Sequence, residues 1–325
     1  MTGTVNDHDL AGWLKQRLGR RHPVAAAALV SPTGVRTAVV GAPAGSDFEI
    51  GSISKGVTGL LYADAIARGE VSPESTLGAL LPLGEVPAAP ITLSSLSTHS
   101  SGLPGLPPSA QVLRRTLRLW RSGTNPYGES LDELMRQARS VKPGAPRSRY
   151  SNFGFELLGH AVASGAAIPF QQLLADRIAT PLGLTSVYAP SAADRLRPTS
   201  LLGRSRRGRP MQPWTGEAIA PAGGIRASIG DMAALTRALL EGTAPGMAAL
   251  DPVRRFGGAV EIGAAWITLE VKGRPVTWHN GGTGGFRSWM GLDRGASTAV
   301  VLLSATSVSV DRFGFELLRT AQNAG

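Results

Sequence analysis

Ser52 and Lys55 stand three residues apart in the run Ser52-Ile53-Ser54-Lys55, at the head of a segment with a strong helical pattern. On a helix that interval puts both side chains on one face, so the lysine amine reaches the serine hydroxyl. A serine hydroxyl is a weak nucleophile until a neighbouring base takes its proton. Lysine can act as that base only where burial or nearby charge lowers its pKa, as a closed cleft does. The competing reading of the pair is an N-capping serine followed by a surface lysine.

Two further runs carry compatible chemistry. Tyr150-Ser151-Asn152 lies between the turn Lys142-Pro143-Gly144-Ala145-Pro146 and a helix, in a chain with only four tyrosines and five asparagines. From such a loop Tyr150 can relay a proton between Ser52 and a leaving group, and Asn152 offers a donor and an acceptor to an ester or amide. The alternative is a buried tyrosine beside a helix-capping asparagine. The third run, Trp278-His279-Asn280-Gly281-Gly282-Thr283-Gly284-Gly285, closes one strand and begins another. Its glycines admit close backbone approach, and an N–H there, paired with that of Ser52, makes an oxyanion hole. Alternatively it is a glycine-rich hairpin loop with an exposed His279. No Gly-x-Ser-x-Gly occurs, so nothing supports a nucleophile elbow with His279 as base.

The elements that must hold these runs follow from periodicity. An amphipathic helix through Leu10, Trp13, Leu14 and Leu18 precedes a hairpin over 24–40, turned by Ser31-Pro32-Thr33-Gly34. Phe48-Glu49-Ile50-Gly51 leads into a helix from Ser52 to Arg68, closed by Gly69. Helices are expected near 92–98, 110–121, 129–140, 154–164 and 169–179. Residues 186–216 are irregular. Ser228 is a plausible N-cap, with Asp231 at capping-box spacing. Strands are expected near 260–271, 275–279, 286–292 and 298–304, then a helix from Asp311 to Gln322.

This order implies an α+β fold, an antiparallel sheet built from both termini and flanked by helices, with a mostly helical inserted lobe. The expectation is one catalytic domain over 1–325, its α/β lobe at about 1–70 and 216–325 and its helical lobe at about 71–215. The site then lies in the cleft between them.

Composition excludes several alternatives. Hydrophobic residues make up 42% and charged residues 17%, which is globular rather than disordered. With no cysteine there is no disulfide, thiolate metal site or cysteine nucleophile, and no metal or cofactor is expected. Arg20-Arg21 and the apolar run Val24–Val30 superficially resemble a twin-arginine signal, but that run is short and ends in a turn. No export signal is therefore expected, the default compartment is the cytoplasm, and no stretch reaches the ~20 residues of a membrane span. The net charge of +10 comes almost wholly from arginine, since only four of 33 basic residues are lysines. Most arginines are scattered, which argues against a nucleic-acid partner. Two clusters stand out: Arg114, Arg115, Arg118 and Arg121 on one helix, and Arg204, Arg206, Arg207 and Arg209 in a loop. They are either solvated surface or a docking site for an acidic partner or anionic substrate.

Together these runs resemble the serine β-lactamase and penicillin-binding-protein superfamily, in particular the branch of class C β-lactamases, D-alanyl-D-alanine carboxypeptidases, family VIII esterases and related acyltransferases. Leu93–Pro104, containing Thr98-His99-Ser100-Ser101-Gly102-Leu103, is similar to that family's His-Thr-Ser-Gly-Leu segment. Pro181-Leu182-Gly183-Leu184 and Pro221-Ala222-Gly223-Gly224 match further blocks in order, over residues 20–320. The resemblance implies Ser52 as the acylated nucleophile, Lys55 and Tyr150 as the general-base pair, and Asn152, His279, Asn280, Gly281 and Gly282 as substrate contacts. It makes His99 a structural residue under the active-site loop. His279 and Asn280 replace the Lys-Thr of lactamases, which disfavours efficient β-lactam hydrolysis. The expected function is a serine hydrolase acting on a small ester or amide donor. Its alternative is an acyltransferase passing the acyl group to an amine or alcohol acceptor, with an acidic carrier protein as the partner the basic helix at Arg114–Arg121 would meet. A non-enzymatic peptide- or acyl-binding protein is the third reading.

Overall fold

The structure is a computed structural model, and it describes residues 6–106, 117–119 and 121–322. The chain forms helices α1 (His8–Leu18), α2 (Ile53–Ala67), α3 (Leu77–Leu80), α4 (Leu93–Ser97), α5 (Leu131–Ser140), α6 (Asn152–Gly165), α7 (Phe170–Leu174), α8 (Ala220–Gly223), α9 (Ile229–Glu241) and α10 (Asp311–Gln322). Its strands are β1 (Ala25–Ser31), β2 (Gly34–Val40), β3 (Asp47–Glu49), β4 (Arg226–Ser228), β5 (Arg254–Gly257), β6 (Val260–Ile262), β7 (Ile267–Val271), β8 (Arg274–Gly282), β9 (Arg287–Asp293) and β10 (Thr298–Ser304).

The main sheet has eight strands in the order β2-β1-β10-β9-β8-β7-β6-β5, every pairing antiparallel. Its two ends of the chain meet where Ala25 pairs Ser304 and Val30 pairs Ala299. Strand alternation sorts the side chains into two layers. Ala25, Ala27, Val300 and Leu302 pack with Leu10, Leu14, Phe313 and Leu317 of α1 and α10. Ala26, Ala28, Val301 and Leu303 face the larger core containing α2, α6 and α9. Both faces are covered, which is why β10 reads as an uninterrupted apolar run.

α2 is the central helix, and it is apolar nearly all round because protein surrounds it. Two glycines let neighbours approach: a Cβ on Gly56 would meet the Trp266 ring at 2.8 Å, and one on Gly59 the Ala264 carbonyl oxygen at 2.1 Å. Trp266 Nε1 donates to Gly56 O at 3.2 Å. That packing interrupts the strand expected over 260–271, which is instead β6 and β7, with Ala265 at φ +70° between them.

The small β3–β4 sheet and β5 have no counterpart in the periodicity, being three or four residues long. β3–β4 encloses Arg226, whose guanidinium binds Asp47 at 2.5 Å and Glu49 at 3.2 Å, with all three side chains buried. The network fixes the chain immediately before Ser52. Of the basic helix near 110–121, Arg114 and Arg115 lie outside the described residues; Arg118 and Arg121 are exposed. Among the described residues no single helix is long and apolar enough to cross a membrane.

Candidate active site

Ser52 begins the first turn of α2 with helical dihedrals, φ −66° and ψ −7°, and its side chain caps nothing. The N-capping reading of this serine is therefore set aside. The bend that presents it comes from Gly51, at φ +53°, a conformation that favours glycine. Lys55, one turn on, is fully buried rather than on the surface. Its Nζ donates to Ser52 Oγ at 3.2 Å and to Ala222 O at 2.5 Å. Burial lowers its pKa from 10.5 to about 7, opposed in part by the charge of Glu156 on α6. Near neutral pH a substantial fraction of Lys55 is thus a free amine beside a hydroxyl.

The Pro221–Gly224 block wraps α2 at this level. Thr58 Oγ1 donates to Pro221 O at 2.8 Å, and Ile225 N donates to Ser54 Oγ at 3.2 Å. Its turn aims the Ala222 carbonyl at the lysine.

Tyr150 approaches from the opposite wall. Its hydroxyl lies beside the Ser52 side chain, and Lys55 Nζ lies 4.9 Å from its ring centroid. The residue as a whole is 40% exposed. Burial of its hydroxyl raises the phenol above its ordinary pKa, opposed in part by the nearby Ser52 side chain. At neutral pH Tyr150 is therefore a proton-bearing phenol.

His99 builds this wall. It holds φ +54°, accepts from Ser151 N through Nδ1 at 3.2 Å and from Arg149 N through its carbonyl at 2.8 Å. Its ring sits 4.5 Å from that of Tyr150. Burial keeps the imidazole neutral well below its usual pKa, and the bond at Nδ1 places its proton on Nε2.

Ser151, not Asn152, caps α6: its Oγ accepts from Gly154 N at 2.8 Å and donates to Pro104 O at 2.6 Å. Asn152 is left to donate through Nδ2 to the Tyr127 hydroxyl at 2.9 Å. The Tyr127 ring packs 4.6 Å from Trp214. Sequence reasoning missed Tyr127 and Glu156, although the rarity of tyrosine was a signal for the first. Glu156 follows Asn152 by four residues, one helical turn, and that interval was its only signal.

β8 supplies the third wall, and its alternation divides the Gly-rich run. His279 points inward and is 2% exposed. Its Nδ1 lies 2.6 Å from Asn280 O. Burial and the Lys55 charge lower its pKa to about 4, so it is neutral. The exposed strand residue of the alternative reading does not describe it.

Asn280 turns to the other face of the sheet, where Nδ2 donates to Asp311 Oδ2 at 3.1 Å. Its expected side-chain contact with substrate is corrected here, because adjacent strand residues point to opposite faces.

Gly281 and Gly282 lie against the segment leading into Ser52. A Cβ on Gly281 would fall 2.0 Å from Ile50 O, and one on Gly51 would fall 2.5 Å from Gly282 N. Thr283 N–H donates across the β8–β9 turn to Phe286 O at 3.1 Å, and Gly282 stands opposite Arg287. Bonded and unbonded pairs alternate in an antiparallel ladder, so the Gly282 N–H turns away from β9, toward Gly51. A pair of donors, from Ser52 and Gly282, can meet an oxyanion there.

The arrangement joins a hydroxyl, a buried amine of lowered pKa, a phenol and two backbone donors. That set can run acyl transfer through a serine ester. Residues 10–322 match the Beta-lactamase family model. The D-alanyl-D-alanine-carboxypeptidase/endopeptidase AmpH of Escherichia coli K12 is 29% identical over 267 residues, covering 75% of this chain and 66% of AmpH. The chain thus spans just under two thirds of that relative. The β-lactamase/D-alanine carboxypeptidase structure from Pseudomonas syringae superposes with a TM-score of 0.79 at 18% identity, covering 97% of this chain and 96% of the other. A class C β-lactamase mutant gives 0.81 at 17% identity, covering 98% and 96%. The chain belongs to the β-lactamase family, within the serine β-lactamase and penicillin-binding-protein superfamily.

Proposed function

We propose that this enzyme cleaves a small ester or amide donor through an acyl-Ser52 intermediate, with Lys55 and Tyr150 as its general-base pair. The observation that carries the reading is the buried Lys55 amine, 3.2 Å from Ser52 Oγ with its pKa near 7. Neutral Lys55 takes the Ser52 proton as Oγ attacks the carbonyl carbon. The tetrahedral oxygen collects the Ser52 and Gly282 N–H groups. Tyr150, whose hydroxyl lies beside Ser52, passes the proton from Lys55 to the leaving group as the scissile bond breaks. The same pair then activates the nucleophile that releases the acyl group. Asn152 and the inward face of His279 contact the bound donor.

His279 is neutral where lactamases carry a cation, which disfavours β-lactam carboxylates and favours simple esters and amides. Water as second nucleophile gives hydrolysis; an amine or alcohol acceptor gives acyl transfer by the same steps. Intact-mass spectrometry after incubation with an ester panel, with and without acceptors, tests both. An acyl adduct on Ser52 that is lost in Ser52→Ala is expected. Adduct formation that survives Ser52→Ala refutes the assignment.

A further inference from the structure

The Arg204–Arg209 loop, conspicuous in the sequence, has no part in the steps above. It lies against the end of β8. Gly203 and Gly285 touch so closely that a Cβ on Gly285 would fall 2.6 Å from the Gly203 Cα. Arg204 N donates to Gly285 O at 3.2 Å and to Ala305 O at 3.1 Å, and Met211 N donates to Gly203 O at 3.0 Å. The loop is clamped to the β8–β9 turn.

Between them is a cavity of about 600 Å³ whose described lining includes Arg206, Arg207, Arg209, Arg287, Thr283 and Gly284, with no carboxylate among the described residues. Arg287 is partly buried; its guanidinium is held by the Thr283 and Phe286 carbonyls at 2.8 and 2.9 Å. Arg209 is oriented by the Leu119 and Arg121 carbonyls. No described carboxylate lies within ion-pair distance of Arg206, Arg207 or Arg287. Thr283 and Gly284 directly follow Gly282, so the cavity continues the line of the oxyanion strand. Cations converging on a cleft raise the local concentration of anions, and guanidinium forks match planar or tetrahedral oxoanions.

We propose that this cavity is a subsite for an oxoanionic group, carboxylate or phosphate, carried by the acyl donor. The donor's reach along β8 past Gly282 brings that group to the four arginines. The substrate-class assignment rests on the acyl-Ser52 reading, and the anion site itself does not.

The test pairs mono-p-nitrophenyl adipate with p-nitrophenyl hexanoate, which differ in a terminal carboxylate. At low salt the ratio of their kcat/KM values falls about tenfold in Arg206→Glu/Arg207→Glu, and falls similarly in wild type as salt rises. A folding defect lowers both esters alike and leaves the ratio untouched. An unchanged ratio overturns the proposal. Calorimetric titration of adipate and of inorganic pyrophosphate into Ser52→Ala distinguishes a carboxylate from a phosphate site without any acylation. Binding of one of them, weakened about tenfold by the same double substitution, supports the site. Binding of neither, or binding indifferent to charge reversal, refutes it. Anion binding without acylation of Ser52 by any ester retains the site and discards the acyl-enzyme reading.

Discussion

Replacing Lys55 by methionine separates the cost of a buried amine from its use. The folded protein lowers the Lys55 pKa from 10.5 to about 7, and at 1.36 kcal/mol per unit this is at most about 5 kcal/mol. A lysine whose folded pKa is depressed binds fewer protons folded than unfolded between pH 7 and 10.5. Stability therefore rises with pH through that window, and the full cost is present below about pH 7. Integrated from pH 7 to 9, one such group contributes about 2 kcal/mol.

Methionine fills a similar volume without the charge. It forfeits the bonds to Ser52 Oγ and Ala222 O, which offsets about 1–3 kcal/mol of the gain. Lys55→Met is thus expected to be the more stable protein at pH 6, by about 2 kcal/mol. Urea unfolding of both proteins from pH 6 to 9 reads the difference, in which all other titrations cancel. The methionine advantage should shrink by about 2 kcal/mol between pH 7 and 9, while ester turnover is lost by about a thousandfold or more at every pH. A pH-independent gap, or a methionine variant less stable at pH 6, would refute the depressed pKa and the base assigned to it.

The same pKa sets the acid limb of kcat/KM for esters near pH 7, because only the neutral amine accepts the Ser52 proton; Glu156→Gln removes a charge that raises it, so a limb moved to lower pH in stopped-flow acylation is expected and an upward move contradicts it. Tyr150→Phe should slow acylation by about 10²–10⁴ with fold intact by circular dichroism, since the phenol beside Ser52 is removed; full acylation rates in the variant exclude a relay. Asn152→Ala should lower kcat/KM by about tenfold, whereas Asn280→Ala should alter it by less than about threefold, because the Asn280 side chain bonds Asp311 on the opposite face; equal losses would argue against that orientation. Gly281→Ala, with its Cβ 2.0 Å from Ile50 O, should cost about 3 kcal/mol in chemical denaturation and impair acylation; a neutral effect would show that β8 does not press on the serine turn.

The sequence by itself determined the regular elements that are long and periodic. The hairpin over 24–40 and the strand at 298–304 were legible from short apolar runs bounded by turn chemistry, and the helix over 311–322 from its period. The Ser52–Lys55 interval was legible because three residues on a helix is a local distance. Tertiary structure alone decided that this lysine is buried with a lowered pKa, since its burial comes from segments remote in sequence, the Ala222 carbonyl 167 residues away among them. It also decided that Ser151 rather than Asn152 caps α6, and that Tyr127 meets Asn152. β3 and β4, too short for any period, were invisible until the Arg226 ion pairs brought them together. In the Gly-rich run the residue types were plain, but their facing was not. Only the register of β8 against β9 turns His279 inward, Asn280 outward and the Gly282 N–H toward the serine, because a strand's faces are assigned by its partner.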